Sequence, residues 1–552
     1  MRVSFSSANR QTWMAELKNH TVDLLVVGGG LSGAGIALDA SLRGLETILL
    51  ERKDFADGAS GRSSKLFHGG MSYFHDFDMK KYQVLTRERS ILRENAPHVT
   101  KKKKMLIPLY KESLVDRLKA SVHLKLFDHV GEVKKTERVE LLSKKQTLKL
   151  EPMLHHERLK GSGSYIEYQI NDARLTIEVL KEAINRGAKA LNYMQVESFL
   201  YEEGKACGVI AVDQLSGEAI KINAKKIVNA TGAWTNQLRE QDRTPIENGI
   251  HYQKGSHIVI RRNKLPLQTG IFYRKKEGNK AIFAIPQENE VYIGMAESEW
   301  SDERGAITCT NEESQFILDE LQQLLPGISI GQEDVISSWS GVAPYMMQTK
   351  KSKTVDVYQD IHISESGVIS VLLDTLTGYR LLAEQVVDHL CQDLGIHVRS
   401  VTESITLTGG YVGGADMYGS FKKQKVEEGK QLGLSEKKAS MLVDLYGSNI
   451  GNIYAKIKTK SRFAQKWGLP PELYAQLRYS MEEEMVMNPR DFFIRRTGAI
   501  YFDYENVRQY YEQIFIYFAE HCHWTTEQLQ QYLDEFRQRL DLSSSSDEIS
   551  HV

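Results

Sequence analysis

The clearest pattern of apolar positions in the chain runs from residue 22 to residue 51. Val22–Val27 is almost wholly apolar and predicts a buried strand. A glycine-rich turn follows, and apolar positions at helical spacing then predict a helix that ends near Gly44. A second apolar strand, Thr47–Leu50, ends at Glu51. The order of strand, glycines, helix, strand and acidic residue predicts a βαβ unit.

The spacing of the glycines indicates what this unit binds. Gly28, Gly30 and Gly33 match G-x-G-x-x-G, in which glycine lets the backbone approach a pyrophosphate at the N-terminus of a helix. Glu51 follows the second strand, where a ribose hydroxyl needs an acceptor. A glycine-rich turn that binds no nucleotide is the alternative, but the full order of elements weighs against it. We therefore predict a dinucleotide-binding site.

Two later strands also end in segments rich in small residues. The strand predicted at Lys221–Val228 leads into Asn229–Trp234, and the strand predicted at Gly367–Leu373 leads into Asp374–Gly378. The carboxyl ends of strands are where an open α/β sheet binds its ligand. Asp54–Gly70, rich in glycine and serine, is too long for a simple connection, and long ordered loops are usually functional.

The remaining periodicity predicts a β-rich middle and a helical end. Residues 250–345 alternate apolar and polar positions, as a half-solvated sheet does, whereas residues 110–160 are predicted to be helical. Beyond the glycine-rich boundary at 408–420, helical patterns predict an α-helical C-terminal domain. They lie at 435–446, 449–456, 471–486 and 503–540.

Length and charge narrow the class of protein. A chain of 552 residues is expected to form two or three domains. Its 71 basic and 72 acidic residues nearly cancel, so no nucleic-acid partner is predicted. The Lys101–Lys104 run is interpreted as a solvated loop. No apolar run approaches the ~18–20 residues of a membrane span, so any membrane association would be peripheral.

Cysteine and histidine give no sign of a disulfide framework or a metal site. The four cysteines lack C-x-x-C spacing, which suits a reducing cytosol. His521, Cys522 and His523 are consecutive, and consecutive side chains on a helix point in different directions and cannot converge on one ion. We therefore predict no metal.

Several motifs in both halves of the chain resemble those of the FAD-dependent glycerol-3-phosphate dehydrogenases, the aerobic bacterial type related to the mitochondrial enzyme. The resemblance covers residues 10–540. Besides the glycine fingerprint, the motifs that carry it are Arg62–Gly70 (RSSKLFHGG), Lys254–Val259 (KGSHIV), Trp339–Val342 (WSGV), Leu477–Tyr479 (LRY), Glu482–Val486 (EEEMV) and Asp491–Gly498 (DFFIRRTG).

The resemblance implies an α/β fold of three parts. A Rossmann-like FAD-binding domain is combined with an antiparallel-sheet substrate domain, as in flavoproteins like glucose oxidase and D-amino-acid oxidase, and with an α-helical C-terminal domain. The expected FAD-binding domain is discontinuous, at 1–75, 170–240 and 360–400. The substrate or cap domain is expected at 76–169 and 241–359, and the helical domain at 408–545.

The resemblance also implies a reaction. The secondary alcohol of sn-glycerol 3-phosphate would be oxidised to dihydroxyacetone phosphate, with hydride passing to flavin and electrons to a membrane quinone. The residues agree with FAD, since the chain has one pyrophosphate site and no second, nicotinamide fingerprint. The implied location is the cytoplasm, with peripheral contact at the inner face of the cell membrane. A homo-oligomer is left open.

The cofactor-binding residues implied by the resemblance lie in the fingerprint, in the 60–70 loop and at the later strand ends. The loop would wrap the flavin ring and pyrophosphate, while Val196 and Ala230–Gly232 would line the adenine and ribose. The full set is Gly28, Gly30, Gly33, Glu51, Arg62, Ser63, Ser64, Lys65, His68, Gly69, Gly70, Val196, Ala230, Gly232, Leu376 and Thr377.

Three residues are candidates for contact with the substrate. His257 is the candidate catalytic base, because histidine titrates near neutrality; the alternative is a strand histidine satisfied by a backbone group. Tyr73 and Arg380 are candidate substrate-binding residues. Arg380 opens a predicted helix and could equally be a packing residue or lie on the pyrophosphate side.

The chain departs from the family pattern on the substrate side. Ser72 and Ala343 stand where the family carries arginine, and Thr375 where it carries lysine. A third family arginine falls near residues 356–357, where this chain has no basic match. Each charge-assisted bond to a phosphate contributes ~1.5–3 kcal/mol, so the losses would weaken phosphate binding by orders of magnitude unless other residues replace them.

Three hypotheses follow from this pattern. The first is an active glycerol-3-phosphate dehydrogenase in which other residues, for example Arg274, Lys275 or Lys276, hold the phosphate. The second is a flavin oxidoreductase for another, non-phosphorylated substrate. The third is a flavin-binding paralogue without enzymatic activity. The retained cofactor motifs favour the first two.

Overall fold

Two β-sheets and a set of C-terminal helices make up the part of the chain that the structure, a computed structural model, describes. That part comprises residues 5–18, 20–67, 79–110, 137–157, 159–242, 250–274, 281–295, 298–300, 307–346, 361–373 and 375–544.

The described strands fall into two groups along the chain. They are β1 (Thr21–Val27), β2 (Thr47–Leu50), β3 (Leu66–Phe67), β4 (Thr100–Tyr110), β5 (Glu140–Ser143), β6 (Leu159–Ile170), β7 (Lys189–Leu191), β8 (Met194–Glu202), β9 (Lys205–Asp213), β10 (Ala219–Asn229), β11 (Ile250–Arg261), β12 (Gly270–Arg274), β13 (Ala281–Gln287), β14 (Glu290–Met295), β15 (Ser298–Glu299), β16 (Val335–Met346), β17 (Ile361–Ile363) and β18 (Ile369–Val371).

The described α-helices are concentrated at the C-terminal end. They are α1 (Arg10–Leu17), α2 (Leu31–Leu42), α3 (Met79–Asn95), α4 (Lys144–Leu150), α5 (Asp172–Asn185), α6 (Thr235–Gln241), α7 (Asn311–Leu324), α8 (Tyr379–Asp393), α9 (Tyr418–Gln431), α10 (Glu436–Tyr446), α11 (Ile450–Lys466), α12 (Pro471–Glu483), α13 (Pro489–Asp491), α14 (Ala499–Phe502), α15 (Tyr504–Cys522) and α16 (Thr526–Ser544).

The first sheet contains the predicted βαβ unit. Its strand order is β17-β18-β10-β1-β2-β7, with β9 beside β10 and β8 beside β9. β1 runs parallel to both β2 and β10, and helices α5 and α8 pack against α2. Strand β1 is apolar and buried from Leu24 to Val27 because other elements cover both of its faces. The predicted strand, helix and strand are confirmed.

The second sheet has two differently packed faces. Its order is β15-β11-β14-β13-β12-β4-β6-β3, with β16 also on β11 and β5 on β6. Because side chains alternate along a strand, Ile258 and Ile260 of β11 pack against α7. Val259, between them, belongs to a cluster on the other face that includes Trp339 and the C-terminal Phe492. The strands predicted within residues 250–345 are present, but β11 is buried on both faces, so the prediction of a half-solvated sheet is wrong there.

Two predictions for the middle of the chain are wrong. The Lys101–Lys104 run is not a loop but part of β4, where its backbone pairs with β6. Lysine fits this strand because the charged ends reach partners: Lys101 pairs with Asp444 at 2.8 Å and Lys102 with Glu137 at 2.7 Å. Within 110–160, strands β5 and β6 and the short helix α4 replace the predicted helical segment; residues 111–136 lie outside the described part.

The two sheets draw on different parts of the chain. The described strands of the first sheet lie within 21–50, 189–229 and 361–371, and those of the second within 66–170 and 250–346. The domain boundaries given above stay a prediction.

A buried charge cluster joins the C-terminal helices to the first sheet. A π-helix spans Phe492–Arg496, and its Arg496 donates from both Nη atoms to the carboxylate of Asp54, at 2.8 and 2.9 Å. Arg495 donates to the same carboxylate at 2.6 Å. Asp54 and Arg496 are fully buried. Because Asp54 lies just beyond β2, the cluster fixes the helical part against the predicted dinucleotide site.

Replacing Arg496 by methionine is expected to destabilise the protein. The substitution keeps much of the side-chain volume but leaves the buried carboxylate of Asp54 with one charged partner fewer, which costs about 3–5 kcal/mol. The apparent Tm of Arg496→Met should therefore fall by several degrees. Arg537→Met removes a partly exposed arginine that pairs with Glu512 and should change the Tm much less. Equal Tm values for the two variants would contradict the role given to this cluster.

Candidate functional site

The turn after β1 is a tight backbone cradle. Gly28 has φ +114°, and a Cβ there would lie 2.4 Å from the carbonyl oxygen of Ala230. A Cβ on Gly33 would lie 2.0 Å from the carbonyl oxygen of Gly28. Only glycine lets the turn, the helix α2 and strand β10 approach one another this closely.

The N-terminus of α2 opens into this cradle. Its N-cap, Gly30, supplies no side-chain cap, and the Leu31 N–H donates to Ser60 Oγ at 2.8 Å. The Glu51 carboxylate accepts from the Gly29 N–H at 2.7 Å and the Lys53 N–H at 2.9 Å. Burial raises the pKa of Glu51. A glycine cradle, helix N–H groups and a fixed acidic residue fit the pyrophosphate and ribose of a dinucleotide such as FAD.

The other predicted cofactor residues of the first sheet lie at strand ends. Ala230 and Gly232 follow β10, and Leu376 and Thr377 form a 3₁₀ turn beyond β18. Val196 is buried in β8. Sequence reasoning missed a neighbouring pair, in which the guanidinium of Arg52 lies 4.2 Å from the ring centre of Trp234.

Asp172 ties down the loop that contains Arg62, Ser63, Ser64 and Lys65. Its Oδ2 accepts from the Ser63 N–H at 3.0 Å and from Ser63 Oγ at 2.7 Å. Its Oδ1 accepts from Lys65 Nζ at 2.8 Å. Asp172 is fully buried at the start of α5. Nothing local in the sequence indicates these partners of Asp172.

Asp172→Asn should loosen this loop. The substitution keeps the shape but removes the carboxylate charge opposite the buried Lys65, and an uncompensated buried charge costs about 3–5 kcal/mol. We expect a lower Tm and less FAD per protein after purification. Asp393→Asn removes a partly exposed aspartate paired with Lys226 and should change neither. Full FAD occupancy in Asp172→Asn, with an unchanged Tm, would show that the loop does not depend on this charge.

The same loop lies against the second sheet. The indole Nε1 of Trp339 donates to the Ser63 carbonyl at 3.0 Å. A Cβ on Gly341 would lie 2.4 Å from the Arg62 carbonyl oxygen. Strand β16 therefore brings a sheet face directly to the predicted flavin loop.

His257 lies on that sheet face. Its ring stacks on Trp339, with 4.9 Å between ring centres and planes 8° apart. It is 3% exposed, and its Nδ1 has no hydrogen-bond partner. Burial, aided by the positive charge of Lys65, lowers the pKa of His257 to about 3. The imidazole is therefore neutral at physiological pH.

The depressed pKa predicts a pH-dependent loss of stability. An unfolded histidine titrates near 6.5, so between pH 6.5 and 3 the unfolded chain binds a proton that folded His257 does not, and stability falls as the pH falls. His257→Gln lacks this contribution. From pH 7.5 to pH 5 its Tm should fall less than that of the unsubstituted protein. Parallel Tm curves would contradict the buried, neutral imidazole.

The structure does not bring Arg380 to His257. Its Nε and Nη2 donate to the two carboxylate oxygens of Glu88, both at 2.7 Å, and its Nη1 donates to Glu384 at 2.5 Å and Thr402 at 3.0 Å. This arrangement favours the packing alternative. Arg380 as a substrate-binding residue stays a prediction.

Several predicted positions lie outside the described residues. They are His68, Gly69, Gly70, Ser72, Tyr73, Lys275, Lys276 and residues 356–357. Among the residues that are described, no group of three or more His, Cys, Asp or Glu could hold a metal ion. No described helix is both long and apolar enough to cross a bilayer.

Comparison with known proteins identifies two matching families. Residues 23–370 match the model of FAD dependent oxidoreductases, and residues 400–529 match the C-terminal domain of alpha-glycerophosphate oxidase. The chain is 38% identical over 532 residues to the aerobic glycerol-3-phosphate dehydrogenase of Bacillus subtilis strain 168, covering 95% of each chain. It is 36% identical to the enzyme of the same name from Staphylococcus haemolyticus, covering 99% of each.

Solved structures show the same similarity. The glycerol-3-phosphate dehydrogenase of Bacillus halodurans, complexed with FAD, matches with a TM-score of 0.86 and 37% identity, over 99% of this chain and 100% of that one. The L-alpha-glycerophosphate oxidase of Mycoplasma pneumoniae, with FAD bound, matches with a TM-score of 0.55 and 18% identity, over 67% of this chain and 95% of that one. The second match concerns the fold alone.

Proposed function

Because the chain belongs to the family of FAD-dependent aerobic glycerol-3-phosphate dehydrogenases, we propose that it oxidises the secondary alcohol of sn-glycerol 3-phosphate to dihydroxyacetone phosphate. The observation that carries this proposal is the buried, neutral His257 on a sheet face that contacts the predicted flavin loop. Acceptance of the hydride from the carbinol carbon, and onward transfer of its electrons, would be the chemistry that bound FAD supplies.

The protein residues provide a proton acceptor and a fixed geometry. His257 would take the hydroxyl proton at a ring nitrogen while the C–H bond breaks. Stacking on Trp339 fixes the plane of the imidazole. Burial and the nearby charge of Lys65 keep the imidazole unprotonated before substrate arrives.

We assign the cofactor to the cradle and the loop. Gly28, Gly30 and Gly33, with the free N–H groups at the start of α2, would hold the pyrophosphate, and Glu51 would accept a ribose hydroxyl. Ala230, Gly232, Val196 and the turn at Leu376 and Thr377 would border the same ligand. The loop at Arg62–Lys65 would contact the flavin ring. These roles rest on the placement of the residues and on the family match.

A flavin titration tests the proposed function. The purified yellow protein is kept anaerobic and its flavin absorbance is followed as glycerol 3-phosphate, and then glycerol, is added. Bleaching at low concentrations of the phosphate ester supports the proposal. Bleaching by glycerol at concentrations equal to or below those of the ester contradicts it, as does a flavin that neither compound reduces.

A non-phosphorylated substrate is the second candidate. The observation in its favour is that Ala343 and Thr375 carry no charge where the family has basic residues. Under this hypothesis, glycerol 3-phosphate would not reduce the flavin at lower concentrations than glycerol does. A protein purified without yellow colour would instead support a role without redox chemistry.

For the electron acceptor, we propose a membrane quinone reached by peripheral contact at the inner face of the cell membrane. Two points support this proposal: the resemblance to the family implies a quinone acceptor, and a reduced flavin must pass its electrons to some acceptor before it can react again. A water-soluble quinone should accelerate substrate-dependent flavin reoxidation under anaerobic conditions, and lipid vesicles should co-sediment with the protein. A quinone that has no effect on reoxidation would exclude this acceptor.

A further inference from the structure

The strand register shows what lies beside His257 on the sheet. Across β16, β11, β14, β13 and β12, the row that contains His257 is Trp339, His257, Gly294, Phe283 and Phe272. The next row on the same face lies two residues further along each strand. Its described members are Gly341, Gly255, Ala281 and Arg274. Alternation of side chains places Arg274 on the same face as His257.

The described residues of the row between the flavin loop and Arg274 leave its surface bare. Gly341 lies against the Arg62 backbone, and neither Gly255 nor Ala281 has a side chain longer than one carbon atom. The strand spacing puts Arg274 roughly 14 Å from β11, three strands away. A three-carbon phosphate ester and an extended arginine side chain together can span this interval, with the alcohol beside His257 and the phosphate toward Arg274.

Among the residues that the structure describes, Arg274 has no acidic partner. It is half-buried, its Nε is buried without a hydrogen-bond partner, and it forms no ion pair with any residue that the structure describes. The preceding Tyr273 packs on the opposite face, edge-on to Tyr110 at 6.0 Å. A half-buried guanidinium without a counter-charge is an effective binding group for a phosphate, which it can hold through two parallel N–H donors.

We propose that Arg274 binds the anionic end of the substrate in this chain and replaces the charge missing at Ala343 and Thr375. The inference rests on the proposed function, because it assumes that the alcohol lies beside His257. It makes Arg274 the residue that determines specificity for a phosphorylated over a neutral alcohol.

Calorimetric titration of the FAD-loaded protein with inorganic phosphate tests this role without turnover. Arg274→Met should weaken phosphate binding ~10- to 100-fold, as expected for the loss of a charge-assisted pair. Arg274→Lys should restore part of it. The matched control is Arg261→Met, which removes an arginine at the far end of β11 that pairs with Glu505. This variant should bind phosphate as tightly as the unsubstituted protein does.

The flavin titration separates the two proposals. Arg274→Met should raise the concentration of glycerol 3-phosphate needed for half-reduction by the same factor, and leave reduction by glycerol unchanged. Arg274-dependent phosphate binding without reduction by the ester would overturn the proposed function and support an anionic substrate of another kind. Equal phosphate affinity in Arg274→Met and the unsubstituted protein, or no binding to the latter, would overturn the role of Arg274.

Discussion

His257→Gln is expected to lower kcat for glycerol 3-phosphate oxidation by ~10²- to 10⁴-fold, the usual contribution of a positioned general base. Glutamine keeps a polar side chain of similar reach but cannot take the hydroxyl proton. Because His257 belongs to the second sheet and makes no contact with the glycine cradle, the variant should still purify with a full complement of FAD. Stopped-flow flavin reduction under anaerobic conditions measures the chemical step directly.

The control for His257→Gln is a histidine away from the site. His20 is half-exposed and pairs with Glu46, so His20→Gln should reduce flavin at the unsubstituted rate. A kcat within threefold of the unsubstituted value in His257→Gln would contradict the role of this base. A loss of FAD would show that His257 supports the cofactor rather than the proton transfer.

Gly33→Ala should yield a protein that purifies without flavin. A single methyl group at this position would lie 2.0 Å from the Gly28 carbonyl oxygen, so either the turn or the start of α2 must move away. The N–H groups that would hold the pyrophosphate move with it. Absorbance at 450 nm relative to 280 nm gives the FAD content, and the Tm with and without added FAD shows whether the fold survives.

Gly451→Ala is the matched control for this substitution. Gly451 lies in α11, and a Cβ there meets nothing within 4 Å; alanine should slightly favour the helix and leave FAD content unchanged. Full FAD content in Gly33→Ala would mean that the pyrophosphate is held elsewhere.

The sequence predicted those parts of the fold that depend on neighbouring residues. The run from β1 to β2 has a continuous apolar strand, three spaced glycines and a periodic helix, and each signal is local. The Lys101–Lys104 run was misread because four consecutive lysines suggest solvent. Its actual partners, among them Asp444 and Glu137, are distant in sequence. When carboxylates far away in the sequence neutralise the charges of a strand, the sequence near that strand does not indicate that it belongs to a sheet.

The same limit applies to the candidate site. His257 could be proposed from its residue type, but its neutral state depends on burial under Trp339 and on the charge of Lys65. Asp172 is far in sequence from Ser63 and Lys65, so no local pattern indicates that its carboxylate binds them. The position of Arg274 relative to His257 follows from the register of four strands, and no periodicity within one strand contains that information.

The charge cluster between Asp54 and the π-helix has a consequence for shortened forms of the protein. A fragment that ends before the helical domain would lose both arginines and leave Asp54, which lies just beyond β2, as a carboxylate without cationic partners. Such a fragment should express poorly, even though it contains every predicted cofactor residue. Replacing Asp54 by an apolar residue in the same fragment should partly restore its solubility, since a neutral side chain needs no counter-charge. The helical part thus supplies the cationic partners of a buried carboxylate in the nucleotide-binding half.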